Sequence, residues 1–127
     1  MVPTPLGEEK LSAALLDLVA PFMPHVTTLS AFRALVGIGV AAWNSTLLQG
    51  SKRQSFLKQI VQPLLAAGGE EGRDDAKDIF NILVKRKERY FADDKRFIIS
   101  YTVHETRNEF RVAVATTVMD FGQALDK

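Results

Sequence analysis

Between Lys85 and His104 the hydrophobic pattern changes period, and that change limits the fold more than any other feature of the chain. Up to Phe91, apolar residues recur three and four apart, as on one face of a helix. From Phe97 onward they alternate, as on a half-buried strand. Phe97, Ile99, Tyr101 and Val103 alternate with Ile98, Ser100, Thr102 and His104. After Glu105-Thr-Arg-Asn108 the alternation resumes, with Phe110, Val112 and Val114 set against Arg111, Ala113 and Ala115. Two period-2 runs around a short polar turn predict a β-hairpin with strands at about 96–104 and 109–118.

The residues before the change read as four helices, at about 5–20, 28–48, 51–67 and 74–91. Thr4 and Pro5 supply a cap and a favoured first position for the first of them, and Pro21 and Pro24 end it. The second carries one charge, Arg33. Leu29, Phe32, Val36, Val40, Trp43 and Leu47 line one face, and Ala31, Leu35, Ile38 and Ala42 a second. A helix apolar nearly all round belongs at the centre of a domain. Gly50 reads as a helix stop, Ser51-Lys-Arg-Gln54 as a capping box, and Pro63 as a kink in the third helix, whose buried set is Phe56, Leu57, Ile60, Val61, Leu64 and Leu65. Gly68-Gly-Glu-Glu-Gly72 reads as a loop. In the fourth helix Ala76, Ile79, Phe80, Leu83 and Tyr90 are expected inward. The whole is α+β: a helical bundle in one globular domain, with a C-terminal antiparallel hairpin packed on it and a frayed end from Gly122.

Composition narrows the chemistry. The 127 residues are long enough to bury a core without staples. With no cysteine and two histidines, disulfides, thiol nucleophiles and a structural zinc site are not expected, and no other metal or cofactor is implied. A net charge of +1 gives no global pull toward nucleic acid or membrane. The N-terminus lacks the order of a signal peptide, and the apolar centre of the second helix, Ala34 to Trp43, is well short of the ~20 residues of a spanning helix. A cytoplasmic location off the membrane is the expectation.

Several strings resemble functional motifs without their context. Gly37-Ile-Gly-Val-Ala-Ala42 matches a dinucleotide-binding pattern, but lies inside a helix and lacks the acid expected about twenty residues later. Small residues admitting a neighbouring helix are the better explanation. Asp120-Phe-Gly122 matches the magnesium tripeptide of kinases with no other kinase element present. The paired acids Glu70-Glu71, Asp74-Asp75 and Asp93-Asp94 have no partner at metal or acid–base spacing. No catalytic residue is assigned, and Asp93, Asp94 and His104 form only a remote enzymatic alternative.

Two surfaces remain. The basic residues around the period change, Lys85, Arg86, Arg89, Lys95 and Arg96 with Lys87 among them, lie beside Tyr90 and Phe91 and suit a polyanion such as nucleic acid. The competing explanation is that Asp74, Asp75 and Asp78 at the start of the fourth helix and bases at its end complement the helix dipole. The other surface is the outer face of the hairpin, with Ile98, Ala113 and Ala115. An isolated two-stranded sheet has unpaired edges, and that face is more apolar than solvent requires, which invites self-association or strand addition by a partner protein. The leading expectation is a small non-enzymatic protein-interaction or regulatory module, homodimeric through the hairpin and the junction. The alternative is a nucleic-acid-binding accessory protein.

Overall fold

The computed structural model describes residues 11–67, 69–107 and 109–118, without the side chains of 69–71, 73, 117 and 118. The proposed start of the first helix, the Asp120-Phe-Gly122 string and the C-terminal residues lie outside these.

Among the described residues five α-helices precede the hairpin: α1 (Leu11–Val19), α2 (Leu29–Ser45), α3 (Gly50–Phe56), α4 (Gln62–Ala66) and α5 (Gly69–Tyr90). Strands β1 (Arg96–Thr106) and β2 (Glu109–Val118) follow. The arrangement is α+β, as the change of period implies. A 3-10 segment, Ala20–His25, joins α1 to α2 where Pro21 and Pro24 withhold their donors. Thr28 caps α2 by accepting the Ala31 N–H at 3.1 Å.

Helix α2 is the centre. It packs against α1, α5 and β1, and Phe32, Val36, Ala42 and Trp43 are fully buried. The hairpin lies along one side of it, with Phe32 stacked on Phe110 at 5.1 Å near the hairpin tip and Trp43 bonded to Arg96 at its base. Both glycines of the dinucleotide-like string are packing positions. A Cβ on Gly37 would lie 2.9 Å from the Tyr101 hydroxyl; one on Gly39 would lie 2.9 Å from Val19 Cγ1 and 3.4 Å from Leu15 Cδ1. One admits the hairpin and the other admits α1.

Several expectations are corrected. The segment from Gly50 to Ala66 is helical throughout, but a π turn, Leu57–Val61, separates α3 from α4. The Gln62 N–H bonds to Leu57 O, five residues back. Pro63 has no N–H, and its ring crowds the carbonyl four residues earlier; a wider turn just before it relieves that crowding. The extra residue rotates the following side chains. Val61 and Leu65 stay buried, whereas Ile60 is 53% and Leu64 37% exposed. Ser51 does not form the expected capping box: α3 starts at Gly50 (φ +57°), and its cap position, Gln49, makes no side-chain bond.

The expected loop at Gly68–Gly72 is largely helix, because α5 begins at Gly69. Asp74, Asp75 and Asp78 therefore fall beyond its first turn, out of reach of the helix-dipole effect that explained them. Tyr90, expected inward, is 56% exposed.

Gly39→Ala should lower stability by about 1–2 kcal/mol, because overpacking against the rigid, fully buried Val19 outweighs the gain in helix propensity. Gly37→Ala should be close to neutral, since the tip of the half-buried Tyr101 side chain can swing aside. Urea denaturation of both variants checks the contrast.

Candidate functional site: the helix–hairpin junction and the hairpin face

The junction between α5 and β1 is held by three side chains. Lys87 follows Phe80 and Leu83 on the buried stripe of α5 and is 1% exposed. Its ammonium donates to Phe91 O at 2.8 Å and Asp94 O at 2.9 Å, and sits 4.6 Å above the Trp43 ring. Phe91 O also accepts the Asp94 N–H at 3.1 Å, so the cation binds both ends of the turn that follows α5 and is itself satisfied. Trp43 Nε1 donates to Arg96 O at 2.8 Å, and Phe91 packs on the Trp43 ring at 5.5 Å. Asn44 holds the strand two residues further on through both backbone groups: its Nδ2 donates to Ile98 O, and its Oδ1 accepts the Ile98 N–H, each at 2.9 Å. A side-chain amide thus takes the place of a neighbouring strand and closes part of the β1 edge.

Burial pushes the Lys87 ammonium below the ordinary lysine value of 10.5, with the Asp94 carboxylate pulling partly the other way.

The bases proposed for a polyanion have divided roles. Arg86 spans to the end of α1, donating from Nε to Leu18 O at 2.9 Å and from Nη2 to Asp17 O at 3.0 Å. Arg96 is paired with Asp94, Nη2 to Oδ2 at 2.6 Å. Lys85, Arg89 and Lys95 are exposed. Two of the five residues therefore serve the fold, a role that spacing on α5 alone does not show.

Ile98 is corrected outright. It is 3% exposed and faces the core, while Ile99 is 61% exposed. Ile98 pairs with Thr116 and Ser100 with Ala115, leaving Ile99 as an extra residue without a partner. This irregularity reverses the parity of the first part of β1. Phe97-Ile98-Ile99 is apolar throughout, so alternation fits either parity there and only pairing decides it. Beyond it Tyr101 and Val103 turn inward as expected, paired with Val114 and Val112. Ala113 and Ala115 are exposed as expected, beside Ser100 and Thr102.

His104 pairs with Arg111 toward the hairpin tip. Along an extended strand it lies roughly 25 Å from the junction that holds Asp93 and Asp94, so those three residues are not brought together. Among the described residues no group of three or more His, Asp or Glu is placed to hold a metal ion, and no helix is long and apolar enough to cross a membrane. A cavity of about 530 Å³ lies between the π turn and α5, floored by Val61, Leu65 and Phe80, with Asp74 and Lys77 in its lining. Comparison with known protein families, with curated proteins and with solved structures finds no match to this chain.

Lys87→Met should cost about 2–3 kcal/mol, since it takes the ammonium donor from Asp94 O, takes one of two donors from Phe91 O and removes the cation over Trp43. Because the folded pKa is lowered, the unfolded chain binds the Lys87 proton more tightly than the folded one. Stability therefore rises with pH through the window between the lowered value and 10.5. The wild type should gain on Lys87→Met as pH climbs through that window, read by urea denaturation at a series of alkaline pH values.

Arg86→Glu should lower stability by about 1–2 kcal/mol through loss of its bonds to the end of α1. Arg89→Glu should leave stability within about 0.5 kcal/mol of wild type. Thermal melts of the two variants separate the structural base from the surface one.

Proposed function

We propose that this protein is a small, non-enzymatic interaction module of the cytoplasm that self-associates through the outer face of its hairpin. The observation that carries the reading is Ile99, extruded by the strand irregularity to 61% exposure. Beside it the same face offers small side chains, Ala115 and Ala113, paired with Ser100 and Thr102. A protruding isoleucine next to a shallow shelf is self-complementary. Under a two-fold axis the Ile99 of each copy sits on the alanine shelf of the other, which is the requirement of an isologous contact. The Asn44 amide engages Ile98, so strand addition at the base of the β1 edge is disfavoured relative to contact through the face.

Size sets the strength. Strands of 11 and 10 residues span about 35 Å, and two of them about 10 Å, so the face offers on the order of 350 Å² per copy. A stable pair uses about 800 Å² a side. The association is therefore of the weak, reversible kind suited to a regulatory contact.

Sedimentation equilibrium from about 10 μM to 1 mM tests the reading. The wild type should pass from monomer to dimer over this range, and Ile99→Lys should stay monomeric with an unchanged melting temperature. A wild type that remains monomeric at the highest concentration would sink the dimer reading.

A further inference from the structure

On the side of α2 turned away from the hairpin, an open groove of about 470 Å³ runs between α2, α5 and the 3-10 segment. Phe22, Leu35, Ile38, Ile79 and Ile82 line it, and Ile82 is 45% exposed. Asp75 and Asp78 complete its lining on the α5 side, and both are exposed. Neither is explained by the helix dipole, since α5 begins six and nine residues before them at Gly69. Among the described residues neither enters an ion pair. His25 is in the lining at the 3-10 segment.

We infer that this groove is a docking site for a basic amphipathic helix of a partner protein. The stretches that form its walls, Ala31–Ile38 on α2 and Asp75–Ile82 on α5, are each about 10 Å long, or two helical turns. That length and the open shape match a helix face presenting apolar residues at i, i+4 and i+7. The two aspartates then select lysine or arginine flanking those anchors. The same charge argument disfavours residues 1–10 and 119–127 as occupants. Residues 1–10 contribute Glu8, Glu9 and Lys10, and residues 119–127 contribute Asp120, Asp126 and Lys127, so neither brings the excess of bases that Asp75 and Asp78 would attract. This contact is on a different face from Ile99 and does not depend on the dimer.

The test uses the full chain and two synthetic helical peptides with the same leucine face, one flanked by lysines and one by glutamates, titrated by fluorescence anisotropy. The lysine peptide should bind at micromolar concentrations and weaken as salt is added. An Asp75→Lys/Asp78→Lys double variant should bind it at least tenfold more weakly, and should gain affinity for the glutamate peptide. Both positions are exposed on a helix, and circular dichroism checks that the variant is folded. Ile82→Ser should weaken both pairings severalfold. Absence of binding by the lysine peptide, or binding indifferent to the charge swap, would overturn the inference. So would loss of wild-type self-association in the double variant, which would make a second copy the occupant.

Discussion

The contact on which the rest depends is the grip of Trp43 and Asn44 on the start of the hairpin. A two-stranded sheet has too few neighbours to be stable in water by itself, so its position must come from the helices. Trp43 bonds to Arg96 O, and Asn44 bonds to Ile98 through both backbone groups. Three hydrogen bonds from adjacent residues of one central helix fix both the place and the register of β1. Lys87 completes the arrangement from the other side by binding the carbonyls of the turn between α5 and β1. A fully buried cation is expensive to desolvate. Here two carbonyls and an aromatic face compensate it, and the ammonium ties the two ends of a turn already closed by the Asp94 N–H on Phe91 O.

With the base of the hairpin held there, the strands must run back along α2, and small residues decide how closely. Gly37 lets the Tyr101 hydroxyl approach, and Phe32 meets Phe110 one helix length away. Gly39, on another side, admits Val19. Helix α2 is therefore covered on most sides, and its remaining face, together with α5, forms the acidic-rimmed groove. The two surfaces proposed for partners are thus on opposite sides of one buried helix. One arises because a strand irregularity turns Ile99 outward, the other because α5 starts early enough to carry Asp75 and Asp78 past its first turn.

The basic junction shows why a charge cluster in a sequence is a weak guide to ligands. Lys87 is part of the core, Arg86 closes the end of α1, and Arg96 is paired with Asp94. The stripe Phe80, Leu83, Lys87 was visible in the spacing, yet a lysine on a core stripe is read as a surface residue until its acceptors are known. Likewise, a base that bonds to carbonyls of a helix far away in sequence leaves no local trace.

The order of helices, the position of α2 at the centre and the hairpin were legible in the sequence, although β1 runs two residues further than the polar run implied, with Glu105 and Thr106 paired to Phe110 and Glu109. They follow from hydrophobic period, proline and glycine, which act within a few residues. What only the tertiary structure decided was parity and partnership. Phe97-Ile98-Ile99 is uniformly apolar, so which isoleucine is buried depended on the pairing with β2 and on Asn44, fifty-four residues away. The exposure of Ile60 and Leu64 depended on a single π turn, and the start of α5 on whether Gly69 to Gly72 could be held helical. In each case local preference is nearly degenerate, and contacts between residues distant in sequence select one of the alternatives.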